Sequence, residues 1–481
     1  MALNNRDSIG TEDEEDKLSL LTDDTLLSIL GRVDLPTAAR TSVLSTRWKH
    51  LPWLLPELTI DVKDFLPSPH PKPMEVEHMD KAMSSLTNAI RSFLVAERAV
   101  TRLQLRFYLV SEHSQVVGPL VSEAIDIGTV KDLDLAIVDE KEPEDCYDEE
   151  MLQQACLVDG FFSAYPSVLR CLTSLSLCNI CFARWDMHHV LFDCCNQLQH
   201  LTLVNCDAGV LSAWNIDAPK SKLRFLKLEF CCLLRLDVLC LPKLERLHWD
   251  TWVCRDAPLS LNSAPFLEEL YLSCGAPINT RGFKLSEVLS GNTAINDPTI
   301  DFQGERPWVQ PEGEQLCTAF NKLRRLSIFN IYVEFDLIWM TVLLEAAPSV
   351  EIFDFGIWNH SCDMDEERRR RSFGERTNPS WKTFEFRSRK QWLLKELDVT
   401  GFNPVEKQIT FIRSVMGRSP NLKTITLRDY MPCKDCEEMG KLPYSGFPIN
   451  EDGQDIAINQ INGDMPDSHV RIIFSGCCTD N

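Results

Sequence analysis

The sequence predicts an α/β solenoid: a three-helix module at the N-terminus, then a curved array of short repeats with a parallel β-sheet on its concave face. Three observations lead there. At 481 residues the chain exceeds what one ordinary hydrophobic core supports, so several domains or one repeat array are expected. A pattern of the form apolar-x-x-apolar-x-apolar recurs eleven times between residues 100 and 427. Ahead of it, residues 18–52 (LSLLTDDTLLSILGRVDLPTAARTSVLSTRWKHLP) carry a compact apolar stretch of a different kind.

The N-terminal elements follow from local chemistry. Residues 1–15 read as a disordered acidic lead-in, and residues 16–56 as the helical module. Thr22 stands where an N-cap belongs, and Asp23 and Asp24 place negative charge in the first turn of a helix. Leu26, Leu27, Ile29, Leu30 and Val33 give that helix an apolar face, and Asp34-Leu35-Pro36 breaks it. Pro36-Thr37 opens a second helix through Ala38, Ala39, Val43 and Leu44, and a third short segment carries Trp48. So few residues cannot bury a full core alone, so the module must lean on the next domain or on another protein. Closing the open end of a repeat array is the plainer role for such a segment.

The string from Asp16 to Leu51 resembles the F-box of plant proteins, matching at Leu18, Ser19, Leu21, Asp23, Asp24, Leu27, Ile29, Leu30, Leu35, Pro36 and Thr37, and through most of the run from Ala39 to Lys49. It departs at Thr22, where the family usually has proline. The resemblance implies docking on the SKP-type adaptor of a cullin–RING ubiquitin ligase through Leu18, Leu21, Leu26, Leu27, Ile29, Leu30, Pro36 and Val43.

Residues 57–98 read as a linker, with a proline-rich hinge at Pro67, Pro69, Pro71 and Pro73, and an amphipathic helix using Met79, Met83, Leu86, Ile90 and Phe93. The repeat array follows over residues 99–392. Its anchors include Val100/Leu103/Leu105, Leu172/Leu175/Leu177, Leu223/Leu226/Leu228, Leu267/Leu270/Leu272 and Leu422/Ile425/Leu427. From Leu172 to Leu267 they recur every 21 to 26 residues or so, within the leucine-rich-repeat range of about 20–29. The last two anchors of each triplet alternate on a short strand and point inward, and a return segment covers them. Each inward leucine gains about 1.5–3 kcal/mol on burial, provided a neighbouring repeat covers it. Larger gaps at residues 136–171, 275–322 and 356–393 leave room for an irregular repeat or a loop. Residues 393–440 resemble the FBD-type segment that ends plant F-box proteins (LLKELDVTGF, ITFIRSVMGRSPNLKTITL, CKDC), and residues 441–481 read as a tail without pattern.

Residues flanking each inward pair face the concave surface. Phe225, Lys227, Arg246, His248, Tyr271, Arg325 and Phe329 are expected close together there, and aromatic and arginine side chains dominate binding hot spots, so this is the candidate substrate-binding patch. Ordinary solvated strand residues, with the contacts made by loops, are the competing reading.

Composition narrows the partners. A net charge of −22 argues against general affinity for nucleic acid or anionic membrane, both polyanions. No basic start followed by an apolar run marks a signal peptide, and no apolar segment reaches the ~18 residues of a membrane span. Nineteen cysteines, irregularly spaced, fit reduced thiols in cytoplasm or nucleus. Cys178-x-x-Cys181 and Cys433-x-x-Cys436 look like halves of a zinc site, but a solenoid keeps them far apart. A local site from Cys178, Cys181, His188 and His189 is the weaker alternative, while Cys206 and Cys231 read as core. Arg368–Arg371 stand beside Asp363, Asp365, Glu366 and Glu367, so they read as a self-paired loop rather than an import or phosphate signal.

No phosphate-binding glycine loop, H-E-x-x-H or G-x-S-x-G occurs, so no catalytic residue, metal or cofactor is assigned. The resulting expectation is a non-enzymatic substrate receptor of an SCF-type ligase. Its partners are an SKP-type adaptor, through it a cullin–RING ligase, and a protein substrate. A scaffold uncoupled from ubiquitination is the second reading, with Thr22 its hint, and a thiol- or metal-dependent enzyme the third.

Overall fold

In the computed structural model each of the eleven apolar triplets leads into or lies on a β-strand, and all of its members are buried. The structure describes residues 18, 20–67, 76–94, 100–109, 111–183, 186–209, 212–252, 256–289, 294–310, 312, 314–360, 366–378, 391–430, 433, 436–437, 439–441, 444–463 and 469–476. The acidic lead-in, Pro69, Pro71, Pro73, Asp363 and Asp365 lie outside them. The chain forms two units, residues 1–140 with 161–171, and residues 141–160 with 172–481.

The first unit opens with helices α1 (Asp23–Leu30) and α2 (Leu35–Arg40). Thr22 Oγ1 accepts from the Thr25 backbone N–H at 3.3 Å, and Asp34 Oδ1 accepts from Thr37 N–H at 2.7 Å, so each helix is capped by its own sequence. The expected third helix does not form. Residues 41–54 instead contribute two short 3-10 turns, Thr41–Val43 and Leu51–Leu54, with Trp48 tucked between them. Three parallel strands follow: β1 (Glu57–Asp61), β2 (Arg102–Tyr108) and β3 (Asp132–Val138). Helix α3 (Val76–Leu94) packs on β1 and β2, burying Met79, Met83, Leu86, Ile90 and Phe93, spaced alternately four and three apart as one helical face requires.

The second unit carries eleven parallel strands in one sheet. In hydrogen-bonding order they are β4 (Leu172–Cys181), β5 (His200–Asp207), β7 (Phe225–Glu229), β9 (Arg246–Asp250), β11 (Glu269–Ser273), β12 (Asp297–Asp301), β13 (Arg325–Tyr332), β14 (Ile352–Trp358), β15 (Glu396–Thr400), β16 (Thr424–Arg428) and β17 (Arg471–Ser475). Three return segments are themselves extended. β6 (Ala213–Asp217), β8 (Arg235–Cys240) and β10 (Leu259–Leu261) pair as a second parallel sheet behind the first. Elsewhere helices make the return, as Glu406–Arg418 does after β15.

Two of these strands have no predicted counterpart in this unit. β12 occupies the gap before residue 322, with Ile295, Pro298 and Ile300 buried at the triplet positions. The tail contributes the helix Glu451–Asn462 and β17, whose Ile472 and Phe474 pair with Ile425 and Leu427.

A residue in the left-handed region stands near the C-terminal end of seven successive strands, inside it for Asn179, Asn205 and Asn330 and past it for Phe230, Thr251, Ala276 and Gln303, with φ between 48° and 57°. Fully buried Asn179 donates to the Lys141 carbonyl at 3.0 Å, and Asn205 donates to Asn179 Oδ1 at 2.7 Å. Their amides satisfy one another where the sheet edge would otherwise bury polar groups.

Candidate functional site

Strand alternation leaves one face of the second unit's sheet lined by the residues between the inward leucines. Its central row is continuous in register: Ser176, Thr202, Lys227, His248, Tyr271, Thr299, Ser327, Asp354, Asp398 and Thr426. Thr299 enters this row with the unforeseen strand β12.

Within it the predicted patch divides. Phe225, Lys227, Arg246, His248 and Tyr271 come together on β7, β9 and β11. Phe225 meets His248 edge to face at 5.0 Å between ring centroids, and His248 meets Tyr271 at 5.4 Å. His200 extends the ladder on the other side, 6.4 Å from Phe225, and the Arg246 guanidinium lies 4.9 Å from the Phe225 centroid. Carboxylates hold the polar ends in place: Lys227 pairs with Glu229 at 2.7 Å and His248 Nε2 lies 2.7 Å from Glu269.

Arg325 and Phe329 sit one strand farther away than predicted, because β12 intervenes. Arg325 pairs with Asp354 at 3.4 Å, and Phe329 is in register with Asp301. The reach toward Tyr271 runs through that aspartate, whose Oδ2 accepts from the Tyr271 hydroxyl at 3.0 Å and from Asn330 at 2.8 Å. Gln303 completes the corner, donating to Asp250 at 2.8 Å and to Ser273 at 2.9 Å. Burial raises the carboxyls of Asp250, Asp301 and Asp354, and it raises the Tyr271 phenol together with the nearby Asp301 charge. This face presents partly desolvated acids and a short aromatic ladder held by mutual hydrogen bonds. Sequence reading missed Asp250, Asp301 and Gln303; the signal for the two aspartates was their place immediately after the inward Trp249 and Ile300.

The N-terminal module divides its apolar residues in the same way. Leu26 and Leu30 are buried with Ala38, Trp48 and Leu51, and Leu21, Leu27 and Leu55 pack against them. Leu26 and Leu30 are therefore part of the module's own core, a correction to their assignment as docking residues. Leu18, Ile29 and Val43 are exposed, with Val43 at 84 %, and Leu20, Val33 and Leu44 join them; Pro36 is half-buried. The Arg47 guanidinium reaches back to the Leu21 carbonyl and pairs with Asp23 at 2.7 Å, tying the last turn to the first helix.

Sites proposed from spacing resolve unequally. Cys206 and Cys231 are buried, their S–H groups directed at the carbonyls of Leu177 and Leu203, and burial pushes the Cys231 thiol up to about 12. Cys274 repeats the arrangement on Trp252, with its thiol at about 11. Such thiols are protonated and poor nucleophiles at neutral pH. Among the described residues, Cys178, Cys181, His188 and His189 form no ligand group: His188 bonds the Asp217 backbone and His189 lies 2.9 Å from Asp193. Cys433 and Cys436 meet His360 instead. In the helix Glu366–Phe373, Arg369 is buried against Glu305 at 2.7 Å, while Arg370 and Arg371 pair with Glu366 and Glu367. Arg369, Arg370 and Arg371 are thus paired with Glu366 and Glu367 on a helix rather than the expected loop, and Arg369 is structural. Among the described residues no helix is long and apolar enough to cross a membrane.

A family model described as "At1g61320/AtMIF1, LRR domain" matches residues 152–451, more than half of the chain. No curated protein matches it.

Proposed function

The chain belongs to the At1g61320/AtMIF1 leucine-rich-repeat domain family, and from that premise we propose that it is the substrate-recognition subunit of an SCF-type ubiquitin ligase. Leucine-rich repeats suggest protein binding. The finer reading rests on the N-terminal module. It closes a small core of its own yet leaves Ile29, Val43 and Leu44 exposed, together with Leu18, Leu20 and Val33. That exposed apolar set is the observation that carries the proposal, since a module serving only as an end cap has no use for it. An SKP-type adaptor docks on Leu18, Ile29 and Val43, with half-buried Leu21, Leu27 and Pro36 at the margin. The ladder from Phe225 to Tyr271 holds a protein substrate, and neither nucleic acid nor membrane is a partner. Ubiquitin transfer is then a matter of proximity: the chain raises effective concentration and supplies neither nucleophile nor cofactor. Cytoplasm or nucleus is the compartment where that adaptor and reduced thiols coincide.

Thr22 does not weigh against this, because its hydroxyl caps α1. The test is co-expression with a plant SKP-type adaptor followed by size-exclusion chromatography. A one-to-one complex is expected, lost in the Ile29→Asp/Val43→Asp variant without change in thermal midpoint, because both side chains are exposed. Leu26→Asp should instead unfold the module. A folded native chain that elutes alone leaves the uncoupled protein-binding scaffold as the function.

A further inference from the structure

His360 follows β14 by two residues, and Cys433 and Cys436 follow β16, so loops from two strands separated only by β15 converge. One imidazole nitrogen and two thiol sulfurs result, all within 4.8 Å of one another. His360 Nδ1 and Cys436 Sγ are 3.9 Å apart. Local structure explains the convergence. The Glu437 N–H donates to the Cys433 carbonyl at 3.0 Å, which holds Cys436 close to Cys433. The Lys441 N–H then fastens the Cys436 carbonyl at 2.8 Å. The His360 ring is stacked on Trp358, with centroids 4.0 Å apart and planes 26° apart, which fixes its orientation.

We propose that His360, Cys433 and Cys436 bind a Zn²⁺ ion that joins the loops after β14 and β16. Tetrahedral zinc holds thiolate sulfur at about 2.3 Å and imidazole nitrogen at about 2.0–2.1 Å, which places neighbouring ligand atoms roughly 3.5–3.8 Å apart. The imidazole and Cys436 already meet that spacing closely. The partly exposed Cys433 and His360 supply the remaining closure of about 1 Å by side-chain rotation, while Cys436 is fully buried and fixed. Two sulfurs and an imidazole are soft to borderline donors that suit zinc and exclude magnesium or calcium. Binding converts two S–H groups to zinc thiolates and releases two protons to solvent, with no redox change. A water takes the fourth position.

Zinc placed there acts as a staple. Repeat arrays hold together through neighbours alone, so a link skipping one strand opposes fraying of the C-terminal repeats. Cys178-x-x-Cys181 provides an internal control: it has the same spacing, but its cysteines lie on β4 and no third ligand joins them among the described residues.

Full-length protein purified under reducing conditions without chelator should contain about one zinc per chain. The metal-free protein should take up Co²⁺ with thiolate-to-cobalt absorption in the near ultraviolet. Cys433→Ser and His360→Gln, both at partly exposed positions, should each weaken Co²⁺ binding at least about tenfold with the circular dichroism spectrum intact. A Cys178→Ser/Cys181→Ser chain should bind as the native one does. Reduced native protein that holds no zinc and gives no cobalt spectrum overturns the proposal. So does metal retained by the Cys433→Ser/Cys436→Ser double variant, and a Cys433–Cys436 disulfide whose reduction restores no metal binding counts against it equally.

Discussion

Cys206 near the end of β5, and Cys231 and Cys274 just beyond β7 and β11, each aim a thiol at a carbonyl of the preceding repeat. Burial raises these thiols above the ~8.5 of a free cysteine, so the folded chain keeps protons that the unfolded chain sheds as pH climbs. Their contribution is whole below about pH 8.5 and is lost as pH rises toward the folded value of about 12 for Cys231. Urea unfolding from pH 8 to 11 should show stability falling, and Cys231→Ala should flatten that slope by about 1.4 kcal/mol per pH unit. The Glu305–Arg369 pair makes a second residue-scale case. Both side chains are almost wholly buried, and Arg376 also contacts Glu305. Removing Glu305 leaves Arg369 paired with Glu366 but orphans its buried Nη1, so Glu305→Ala should cost about 1–3 kcal/mol in the same assay, while the exposed Arg371→Ala should cost under about 1 kcal/mol.

Among the elements, the left-handed positions near the strand ends are unevenly filled. Asparagine tolerates them, whereas Phe230 does not and is partly exposed, so its ring loses little by removal. Phe230→Asn should raise stability by about 0.5–1 kcal/mol, measured as a shift in thermal midpoint. The strands themselves were legible because alternating leucines report directly on burial. The missed ones failed for identifiable reasons. Pro298 stands at an inward position of β12, where a reader discounts proline in a central strand. β17 has His469 where the first apolar anchor belongs. β1 does satisfy the pattern with Leu55, Leu58 and Ile60, but it falls among residues read as linker. The aromatic ladder was foreseen as far as the repeat spacing held, and Arg325 and Phe329 were misplaced by the one hidden strand. In the N-terminal module periodicity identified the apolar residues but not which of them its own core consumes, so Leu26 and Leu30 were assigned outward.

At the scale of the molecule, the end of the sheet depends on residues without sequence signal. β17 covers the edge of β16, and the Arg413 guanidinium donates to the Gln460 carbonyl, fastening the helix Glu451–Asn462 to Glu406–Arg418. A chain ending at residue 440 should expose a bare β16 edge and aggregate on heating at a lower temperature than the full chain, a difference light scattering would register. The paired second sheet has a different consequence. The repeats that begin with β5, β7 and β9 are joined to one another by two hydrogen-bond ladders, one in each sheet, whereas among the described residues the other neighbouring repeats of this unit share one ladder. Under tension applied through its termini, the second unit therefore has a mechanical centre: flanking repeats peel away at low force, and the segment bearing the aromatic ladder is the last to give.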